Sequence, residues 1–317
     1  MIKSPLRYPG GKSKAVNQIA ECLPDSFSEY REPFVGGGSI FIYLKQKFPH
    51  LKIWINDLNR ELFLFWKYSQ SDLPKLVEEI RSIKKQYANG KLLFKELTSV
   101  DVNKLPDFDR AVRFFVLNRI TFSGTVESGG FSQQAFHQRF TYSSIDRLEK
   151  LAQILTSDVI ITNLDYSELL KSEPESFCAE ILPHKIVREK KDKDIFIFLD
   201  PPYFAATKSK LYGKNGDLHS SFNHQRFASL VTNCPQKWLI TYDDSPCIRE
   251  NFKSAQIQDW ELQYGMNNYK QGSAAKGKEL FIANYEIGSK SKINTNSHEK
   301  QLSPLQLSLD LSLIIQI

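Results

Sequence analysis

The sequence predicts an α/β protein in which a parallel sheet is interrupted by a mainly helical insertion. Residues 30–67 follow the order strand, glycine turn, helix, strand, helix, which is the arrangement that builds parallel sheets. Residues 72–150 show mainly helical spacing, and apolar strand patterns resume only from Val159 onward. Both halves of the chain should therefore contribute strands to one sheet.

Each predicted element is justified by its own spacing of apolar residues. The segment at 39–47 places Ile40, Phe41 and Leu44 on one helical face, directly after three glycines. The run at 195–199 is apolar throughout and ends abruptly at Asp200, which indicates a strand. The predicted strands are 30–34, 52–55, 159–162, 195–199, 238–241 and 280–285, and the clearest predicted helices are 39–47, 60–68, 76–87, 107–120 and 224–231.

Composition narrows the class of protein. Of the 317 residues, 41% are hydrophobic and 25% charged, which excludes a collagen, a wholly disordered chain and a membrane bundle. No apolar run approaches the roughly 18 residues of a membrane helix, and the start of the sequence shows no signal-peptide pattern. We expect a cytoplasmic protein with no membrane partner.

Charge and cysteine usage add two expectations. The net charge of +6 favours a polyanionic partner, with basic clusters at 3–14 and 208–214, although either cluster alone is also typical of a solvated surface. The four cysteines lie far apart and show no metal-ligand spacing. We therefore expect buried thiols and no metal site.

A glycine-rich turn joins the first predicted strand to the next helix. In Phe34-Val-Gly-Gly-Gly-Ser39, glycines let backbone amides at the helix N-terminus approach a ligand, although a tight turn alone would also explain them. Asp57 follows the next strand 21 residues after Gly36, near the offset at which an acid binds ribose hydroxyls. We interpret Asp57 as a ribose ligand, with a helix N-cap as the alternative.

Two phosphate-binding patterns do not fit the sequence. A dinucleotide motif would need its third glycine at Phe41, which favours a cofactor without a pyrophosphate. A phosphate loop ending in the Gly-Lys-Ser of residues 11–13 would need a glycine at Leu6 and a preceding strand. The Gly-Gly-Lys segment therefore requires another explanation.

The predicted strand at 195–199 ends in Asp200-Pro-Pro-Tyr203. Consecutive prolines stop a helix or a sheet ladder and fix the backbone, so nearby carbonyls remain available as acceptors. The tetrad stands at the carboxyl end of a strand, where open α/β sheets bind ligands. A strand end with a capping aspartate is the simpler alternative, but the aromatic residue makes the pattern more specific.

This tetrad suits methylation of an exocyclic amine. The amino lone pair of adenine is delocalised into the ring, so an enzyme must hold both N–H groups with acceptors that favour a more tetrahedral nitrogen. The Asp200 carboxylate and the Pro201 carbonyl supply two acceptors, and Tyr203 can stack on the base. A base inside a duplex must be flipped out to reach such a pocket.

Four ordered motifs resemble those of the alpha-group, Dam-like DNA adenine N6-methyltransferases. They occupy about the first 285 residues and are Pro5-Leu-Arg-Tyr-Pro-Gly-Gly-Lys12, Phe34-Val-Gly-Gly-Gly-Ser39, Asn56-Asp57 and Asp200-Pro-Pro-Tyr203. The resemblance implies a Rossmann-like sheet that uses S-adenosyl-L-methionine, with an inserted, mainly helical target-recognition domain. On this basis the chain divides into a first catalytic part at 1–71, the insertion at 72–150, a second catalytic part at 151–288, and a linker with a weakly ordered tail at 289–317.

The resemblance also implies which residues contact the cofactor. In such enzymes these are an aromatic and a lysine of the N-terminal motif, the phenylalanine and glycines of the turn, the acid after the second strand and the catalytic aspartate. Lys12 would neutralise the cofactor carboxylate, and Tyr8 stands where the family often has tryptophan. The matching positions are Tyr8, Lys12, Phe34, Gly36, Gly38, Asp57 and Asp200.

Two further segments leave alternatives open. Asp165 follows the strand at 159–162, in the region that reaches toward the cofactor adenine in the family, and it is equally consistent with a helix N-cap. The polar, aromatic loop at 210–219 suits closure over a flipped base, and an ordinary surface loop would look the same.

The insertion is predicted to recognise double-stranded DNA. The segment at 117–124 resembles an Asn-Arg segment near the family's recognition hairpin, so Arg119 is expected to read a guanine or to hold a phosphate. The loop at 123–131 would enter a groove. The competing hypothesis makes Arg110, Arg113 and Arg119 a solvated helix face. The predicted DNA-binding residues are Asn118, Arg119, Ser123 and Lys14.

Other classes compete with DNA adenine methylation. An RNA-base or protein-glutamine N-methyltransferase would use the same kind of corner, although the motif order favours DNA. Zinc deaminases need Pro-Cys-x-x-Cys, but Glu250 stands where the second cysteine belongs after Cys247. A non-enzymatic DNA-binding protein would need the basic segments but neither Asp57 nor Asp200. A cognate restriction endonuclease would be a functional partner with no contact implied.

Overall fold

A computed structural model of the protein describes residues 1–171, 194–204, 222–263 and 276–288. Its strands are β1 (Glu29–Glu32), β2 (Lys52–Asn56), β3 (Val159–Thr162), β4 (Ile195–Leu199), β5 (Lys237–Asp243), β6 (Gln256–Gln263) and β7 (Lys276–Ala283). They form one sheet in the order β3-β2-β1-β4-β5-β7-β6. Neighbouring strands are parallel except β7, which runs antiparallel to both β5 and β6. The α/β class predicted from the sequence is confirmed.

Helices connect the strands, and five α-helices follow one another between residues 73 and 149, the region predicted as the insertion. The α-helices of the described residues are α1 (Val16–Glu21), α2 (Ser39–Lys47), α3 (Arg60–Ser71), α4 (Leu73–Gln86), α5 (Gly90–Ser99), α6 (Asp107–Ile120), α7 (Gln133–Gln138), α8 (Tyr142–Glu149), α9 (Ser167–Leu170), α10 (His224–Thr232) and α11 (Pro246–Asn251). The start of α3 follows from Asn59, whose side chain accepts the Leu62 amide at 3.1 Å as an N-cap. No helix in the described part of the chain is long and apolar enough to span a membrane.

The helical insertion shares its core with the sheet. Phe65 of α3 stacks on Phe115 of α6, with ring centroids 5.8 Å apart and an angle of 12° between the ring planes. A buried ion pair joins the same two helices, because Arg110 Nε donates to Glu61 Oε1 at 3.0 Å. One hydrophobic cluster therefore runs from the sheet through α3 into the insertion and holds it in place.

A second, smaller core lies at the other half of the sheet. Phe227 of α10, Phe252 and Trp238 of β5 pack together there and are buried. This core supports β4 and β5, whose carboxyl ends carry the Asp200 corner and Asp243. The corner is thus attached to a rigid part of the sheet.

Predicted boundaries hold where apolar spacing is strong. The bounds of α2, α6, β3 and β4 are those predicted. The predicted strand at 280–285 instead runs as β7 from Lys276 to Ala283, and β6, α5, α7 and α8 were not individually predicted. β6 lies at the sheet edge and contains only three apolar residues, none of them adjacent, so its sequence lacks an apolar run.

Contacts divide the chain into two units, 1–287 and 288–317. The division into two catalytic parts and an insertion stays a prediction. Several sequence-based expectations lie outside the described residues, namely the loop at 210–219 with the basic residues at 208–214, Cys178, and the linker and tail at 289–317.

Candidate active site

The carboxyl ends of β1, β2, β3 and β4 meet at one edge of the sheet, where a cavity of about 930 Å³ opens. This volume is at the upper end of the roughly 300–1,000 Å³ typical of ligand sites. The predicted catalytic and cofactor-binding residues all line it, although they come from distant parts of the chain: Tyr8, Lys12, Phe34, Gly36, Gly38, Asp57, Asp165, Asp200, Pro201 and Tyr203.

The glycine turn needs its glycines for two separate reasons. Gly36 and Gly38 have φ values of +46° and +70°, a region that side chains rarely adopt. A Cβ atom at Gly36 would also lie 2.8 Å from Cε1 of Tyr8. The turn therefore lets the Tyr8 ring pack directly on the backbone, which joins the N-terminal motif to the turn.

Asp57 is fixed by two backbone amides. Its Oδ2 accepts the Gly36 amide at 3.0 Å, and its Oδ1 accepts the Asn59 amide at 3.0 Å. Burial raises the pKa of Asp57 to about 6, against the opposing effect of these hydrogen bonds. Because Asn59 caps α3, the N-cap alternative for Asp57 is wrong, and Asp57 instead connects the glycine turn to the end of β2.

Asp200 is held by a cation and a hydroxyl group. Lys12 Nζ lies 2.8 Å from Asp200 Oδ1, and Thr241 Oγ1 donates to the same oxygen at 2.8 Å. The Lys12 side chain is almost fully buried and also donates to the Gly10 carbonyl at 3.1 Å. Among the described residues both side-chain partners bind Oδ1, which leaves Oδ2 available to another donor.

Tyr203 is anchored beside this pair. Its hydroxyl donates to Oε2 of Glu279 on β7 at 2.7 Å, and the Lys12 ammonium lies 4.9 Å from its ring centroid. Burial, together with the nearby carboxylates, holds the pKa of Tyr203 well above its usual value. The next residue is fixed as well, since the Phe204 amide donates to Asp243 Oδ1 at 2.8 Å.

Aromatic rings form another wall of the cavity. Phe34 lies 5.4 Å from Tyr166 and 5.9 Å from Phe222, measured between ring centroids. The Arg226 guanidinium lies 5.1 Å from the Tyr166 ring centroid. This wall is suited to a planar, apolar group such as a nucleobase.

Asp165 lies at the edge of this wall. Its Oδ1 is 3.0 Å from Nη2 of Arg226 and accepts the Ser167 amide, the first of α9, at 3.1 Å. The Asp165 side chain is 43% exposed, so it remains accessible from the cavity. A contact with the cofactor adenine stays a prediction.

The structure corrects the expectation for Arg119. The side chain is only 4% exposed, donating from Nε to the Arg139 carbonyl at 2.8 Å and from Nη1 to the Pro5 carbonyl at 3.1 Å. A buried guanidinium that binds the backbone is not available to read a base. Arg110 and Arg113 are also buried, so the alternative of a solvated helix face is wrong as well.

Asn118 has a similar connecting role. It is fully buried, accepts the Arg7 amide at 2.9 Å and donates to the Arg7 carbonyl at 2.7 Å and the Gly124 carbonyl at 2.9 Å. The N-terminal motif is thereby fixed to the turn that follows α6. Asn118 thus connects the cavity to this turn and is not itself exposed to a ligand.

The remaining predicted DNA-binding residues lie nearer the surface. Lys14 is exposed at the end of a 3₁₀ turn, and Ser123 is half-buried with a φ of +54°, in the region that favours glycine. Directly before Ser123, Phe122 is 62% exposed, more than the exposed aromatic residues Tyr142 (51%) and Phe48 (42%). Sequence analysis did not single out Phe122.

Several arginine charges act on Arg119, whose helix ends directly before this turn. Burial, and then the charges of Arg7, Arg147 and Arg139, lower the pKa of Arg119 to about 9. Arg7 Nη1 also donates to the Thr121 carbonyl at 3.0 Å, directly before the turn. Arg139 and Arg147 are exposed and Arg7 is partly exposed, so this surface attracts anions.

Sequence reasoning missed three residues of the site. Thr241, Glu279 and Arg226 contact the predicted residues but stand outside the four motifs. Glu279 directly precedes the apolar run Leu-Phe-Ile of β7, and only its burial in the structure distinguishes it from an ordinary strand residue. None of the three carries a signal in the sequence.

A mostly parallel sheet that brings a glycine turn and an Asp-Pro-Pro-Tyr corner to one cavity defines the class of Rossmann-like methyltransferases. The model of the D12 class N6 adenine-specific DNA methyltransferases matches residues 8–178 and 183–266. The chain belongs to this family and is an adenine-specific DNA methyltransferase, as the motifs predicted.

Individual relatives agree with this family. The chain is 28% identical to the Type II methyltransferase M.MjaIII of Methanocaldococcus jannaschii over 67% of this chain and 72% of the relative. It is 23% identical to the Type II methyltransferase M1.LlaDCHI of Lactococcus lactis subsp. cremoris, over 88% and 94% of the two chains. It is 22% identical to the DNA adenine methylase of Haemophilus influenzae, over 87% and 91%.

Proposed function

We propose that the enzyme transfers a methyl group from S-adenosyl-L-methionine to the N6 atom of an adenine flipped out of double-stranded DNA. The observation that carries this proposal is that Asp57 and Asp200 line one cavity in contrasting environments. Two backbone amides hold Asp57, whereas a lysine and a threonine hold Asp200. One acid is thus suited to the cofactor and the other to the amine.

The residues around the glycine turn fit the cofactor. Asp57 has a pKa of about 6 and is therefore mostly ionised at neutral pH, ready to accept ribose hydroxyls. Phe34 and Tyr166 offer aromatic faces for the adenine, and Asp165 is accessible beside them. The bound cofactor supplies an electrophilic methyl group on a sulfonium.

Asp200 and Pro201 hold the target amino group in this proposal. Lys12 and Thr241 fix one carboxylate oxygen of Asp200, so the other accepts one N–H of the amine in a defined direction. The Pro201 carbonyl accepts the second N–H, and the Tyr203 ring stacks on the base. We assign Lys12 the orientation of Asp200 in addition to any contact with the cofactor carboxylate.

We assign DNA recognition to the turn after α6 and the loop at 122–131. The support is the exposed Phe122, the positive φ of Ser123 and the neighbouring arginines. Asn118 and Arg119 hold this region to the N-terminal motif from inside. Lys14 contributes a surface charge that suits a phosphate.

The biological setting that fits these features is modification by a restriction-modification system, or genome marking. Relatives named Type II methyltransferases support the first setting. A cognate endonuclease would then act on the same DNA sequence without touching this enzyme. In either setting the enzyme would act on DNA in the cytoplasm.

The test is methyl transfer to duplex DNA, with N6-methyladenine detected by mass spectrometry and the target site found by sequencing modified DNA. Asp200→Asn should abolish transfer while cofactor binding remains measurable. Asp194→Asn is the matched control, because Asp194 is exposed just before the other end of β4. Transfer by Asp200→Asn within a few-fold of the parent rate, or a preference for RNA, would contradict the proposal.

A further inference from the structure

We infer that Glu279 is a positioning residue for the target base and that it acts through the ring of Tyr203. The inference rests on the proposed function, in which Tyr203 stacks on the flipped adenine. It adds a residue that lies outside the four motifs and in an antiparallel strand. The hydrogen bond from the Tyr203 hydroxyl to Glu279 Oε2, at 2.7 Å, is the observation that suggests it.

Glu279 does not touch the base itself. Its side chain is 1% exposed and does not line the cavity, whereas its neighbours Gly277 and Lys278 do. In the sheet it is paired with Asp243 of β5 and Trp260 of β6. Its place is therefore fixed from both sides by strands, which makes it a rigid anchor.

Tyr203 needs such an anchor because of its position in the chain. It follows two prolines and belongs to neither a helix nor a strand, so no backbone ladder restrains it. The hydrogen bond to Glu279 fixes the position of the hydroxyl end of the ring, which restricts rotation about the Cα–Cβ bond. Rotation of the ring plane is restricted by its neighbours, the Tyr242 ring with its centroid 6.1 Å away and the Lys12 ammonium 4.9 Å from the Tyr203 centroid. The plane of the Tyr203 ring is then fixed before the flipped adenine binds, so the base stacks on it in a defined orientation.

The environment of Glu279 points to a functional contact. Burial raises the pKa of this carboxyl to about 7, against the opposing charge of Lys12 and the hydrogen bond from Tyr203. A buried carboxylate opposes folding unless it is compensated. An apolar residue would continue the strand at lower energetic cost, so the carboxylate is better explained by what it holds.

The experiment is a double-mutant cycle on the single-turnover rate of methyl transfer. Tyr203→Phe removes the donor, Glu279→Met removes the acceptor with little change in size, and Glu279→Gln retains an acceptor oxygen. Glu286→Met serves as the control, since Glu286 is exposed just beyond β7. Thermal unfolding of each variant and its dissociation constant for S-adenosylmethionine are measured alongside.

We expect Tyr203→Phe and Glu279→Met each to slow transfer roughly ten-fold, the double variant to be no slower than either, and Glu279→Gln to recover most of the rate. The dissociation constant for S-adenosylmethionine should change less than ten-fold, because the Tyr203 hydroxyl and the Glu279 carboxylate bind each other and Glu279 does not line the cavity. Multiplying effects in the double variant, or a normal rate for Tyr203→Phe, would overturn the inference while leaving the proposed function intact. A parent enzyme that binds the cofactor but methylates no DNA would refute the proposed function, and this inference with it.

Discussion

At the residue scale, two aspartates at the carboxyl ends of β2 and β4 acquire different chemistry from their partners. Asp57 accepts two backbone amides, but the effect of burial outweighs theirs and its pKa rises to about 6. Asp200 instead faces the Lys12 ammonium at 2.8 Å. Because their partners differ, one acid is suited to binding and the other to catalysis.

The first prediction concerns the pH dependence of cofactor binding. Because the folded pKa of Asp57 lies near 6, above its usual 3.8, the carboxylate takes up a proton as the pH falls through 6. A protonated carboxyl loses its charge-assisted hydrogen bonds to ribose, so the dissociation constant should be constant above pH 7 and rise below pH 6. Titration calorimetry between pH 5 and 8 measures this.

The matched variant is Asp57→Asn. It should bind S-adenosylmethionine roughly ten- to a hundred-fold more weakly at pH 8, with little further change down to pH 5. Asp25→Asn, at an exposed position, should behave like the parent. If Asp57→Asn retains the pH dependence of the parent, another group is responsible for it.

At the element scale, α6 attaches the N-terminal motif to the insertion. Asn118 and Arg119 are consecutive residues in its last turn, and both bind backbone groups of the segment that leads to Tyr8 and Lys12. Gly124, just beyond α6, has a φ of +78° and packs against the Arg7 carbonyl. The helix that was predicted to face DNA therefore organises the cofactor motif from behind.

The second prediction is that Arg119→Ala is destabilising. The change removes a buried side chain and leaves the Pro5 and Arg139 carbonyls without this donor, which should cost about 2–4 kcal/mol in free energy of unfolding. Urea denaturation checks this value. Cofactor affinity should also fall, because the segment before Tyr8 loses its attachment.

Arg147→Ala is the control for the lost charge, since Arg147 is exposed on α8 and its charge also acts on Arg119. It should leave the free energy of unfolding within about 0.5 kcal/mol of the parent. A stable Arg119→Ala protein with altered site preference would instead restore the base-contacting role.

The third prediction concerns the turn after α6. Phe122→Ala should lower the methylation rate at the target site and the affinity for DNA by roughly ten-fold, because an aromatic side chain that stacks on bases contributes about 1–3 kcal/mol. Stability and cofactor affinity should be unchanged, since Phe122 is 62% exposed. Fluorescence anisotropy with labelled duplexes measures the affinity.

Phe48→Ala is the matched control. Phe48 is also exposed, at 42%, but it follows α2 and precedes β2, at the opposite edge of the sheet from the cavity. It should leave DNA affinity unaltered. Equal effects of the two substitutions would remove the turn from the DNA interface.

At the scale of the whole molecule, charge and topology act together. The net charge of +6 gives a general attraction to a polyanion, while the sheet collects the cofactor and catalytic groups at the carboxyl ends of its strands. The insertion packs on α3 through a shared core and adds the charges of Arg119, Arg139 and Arg147. Substrate attraction and chemistry thus depend on different parts of one fold.

The fourth prediction follows from this division. Raising salt from 50 to 200 mM should weaken DNA binding by about an order of magnitude or more, in proportion to the number of phosphates contacted. The affinity for S-adenosylmethionine should change far less, because its contacts are buried or short-ranged. DNA binding that is insensitive to salt would exclude the surface formed by Arg7, Arg139 and Arg147 as the interface.

Several element bounds, the corner at Asp200 and the family were predictable from the sequence, because they depend on residues close together in the chain. The bounds of α2, α6, β3 and β4 follow from apolar spacing, and the corner at Asp200 follows from two prolines after an apolar strand. Motif order indicated the methyltransferase family, which the family match confirms. These features depend on neighbours in the chain, so the sequence itself contains them.

Tertiary structure decided the features that depend on distant neighbours. Arg119 looks like an exposed recognition residue on its helix, yet carbonyls from Pro5 and Arg139 bury it. Glu279 looks like an ordinary strand residue until β7 places it against the Tyr203 hydroxyl. Burial and partner choice depend on how elements pack, and because desolvation determines whether a charge faces a ligand or holds the backbone, the sequence alone left those roles undecided.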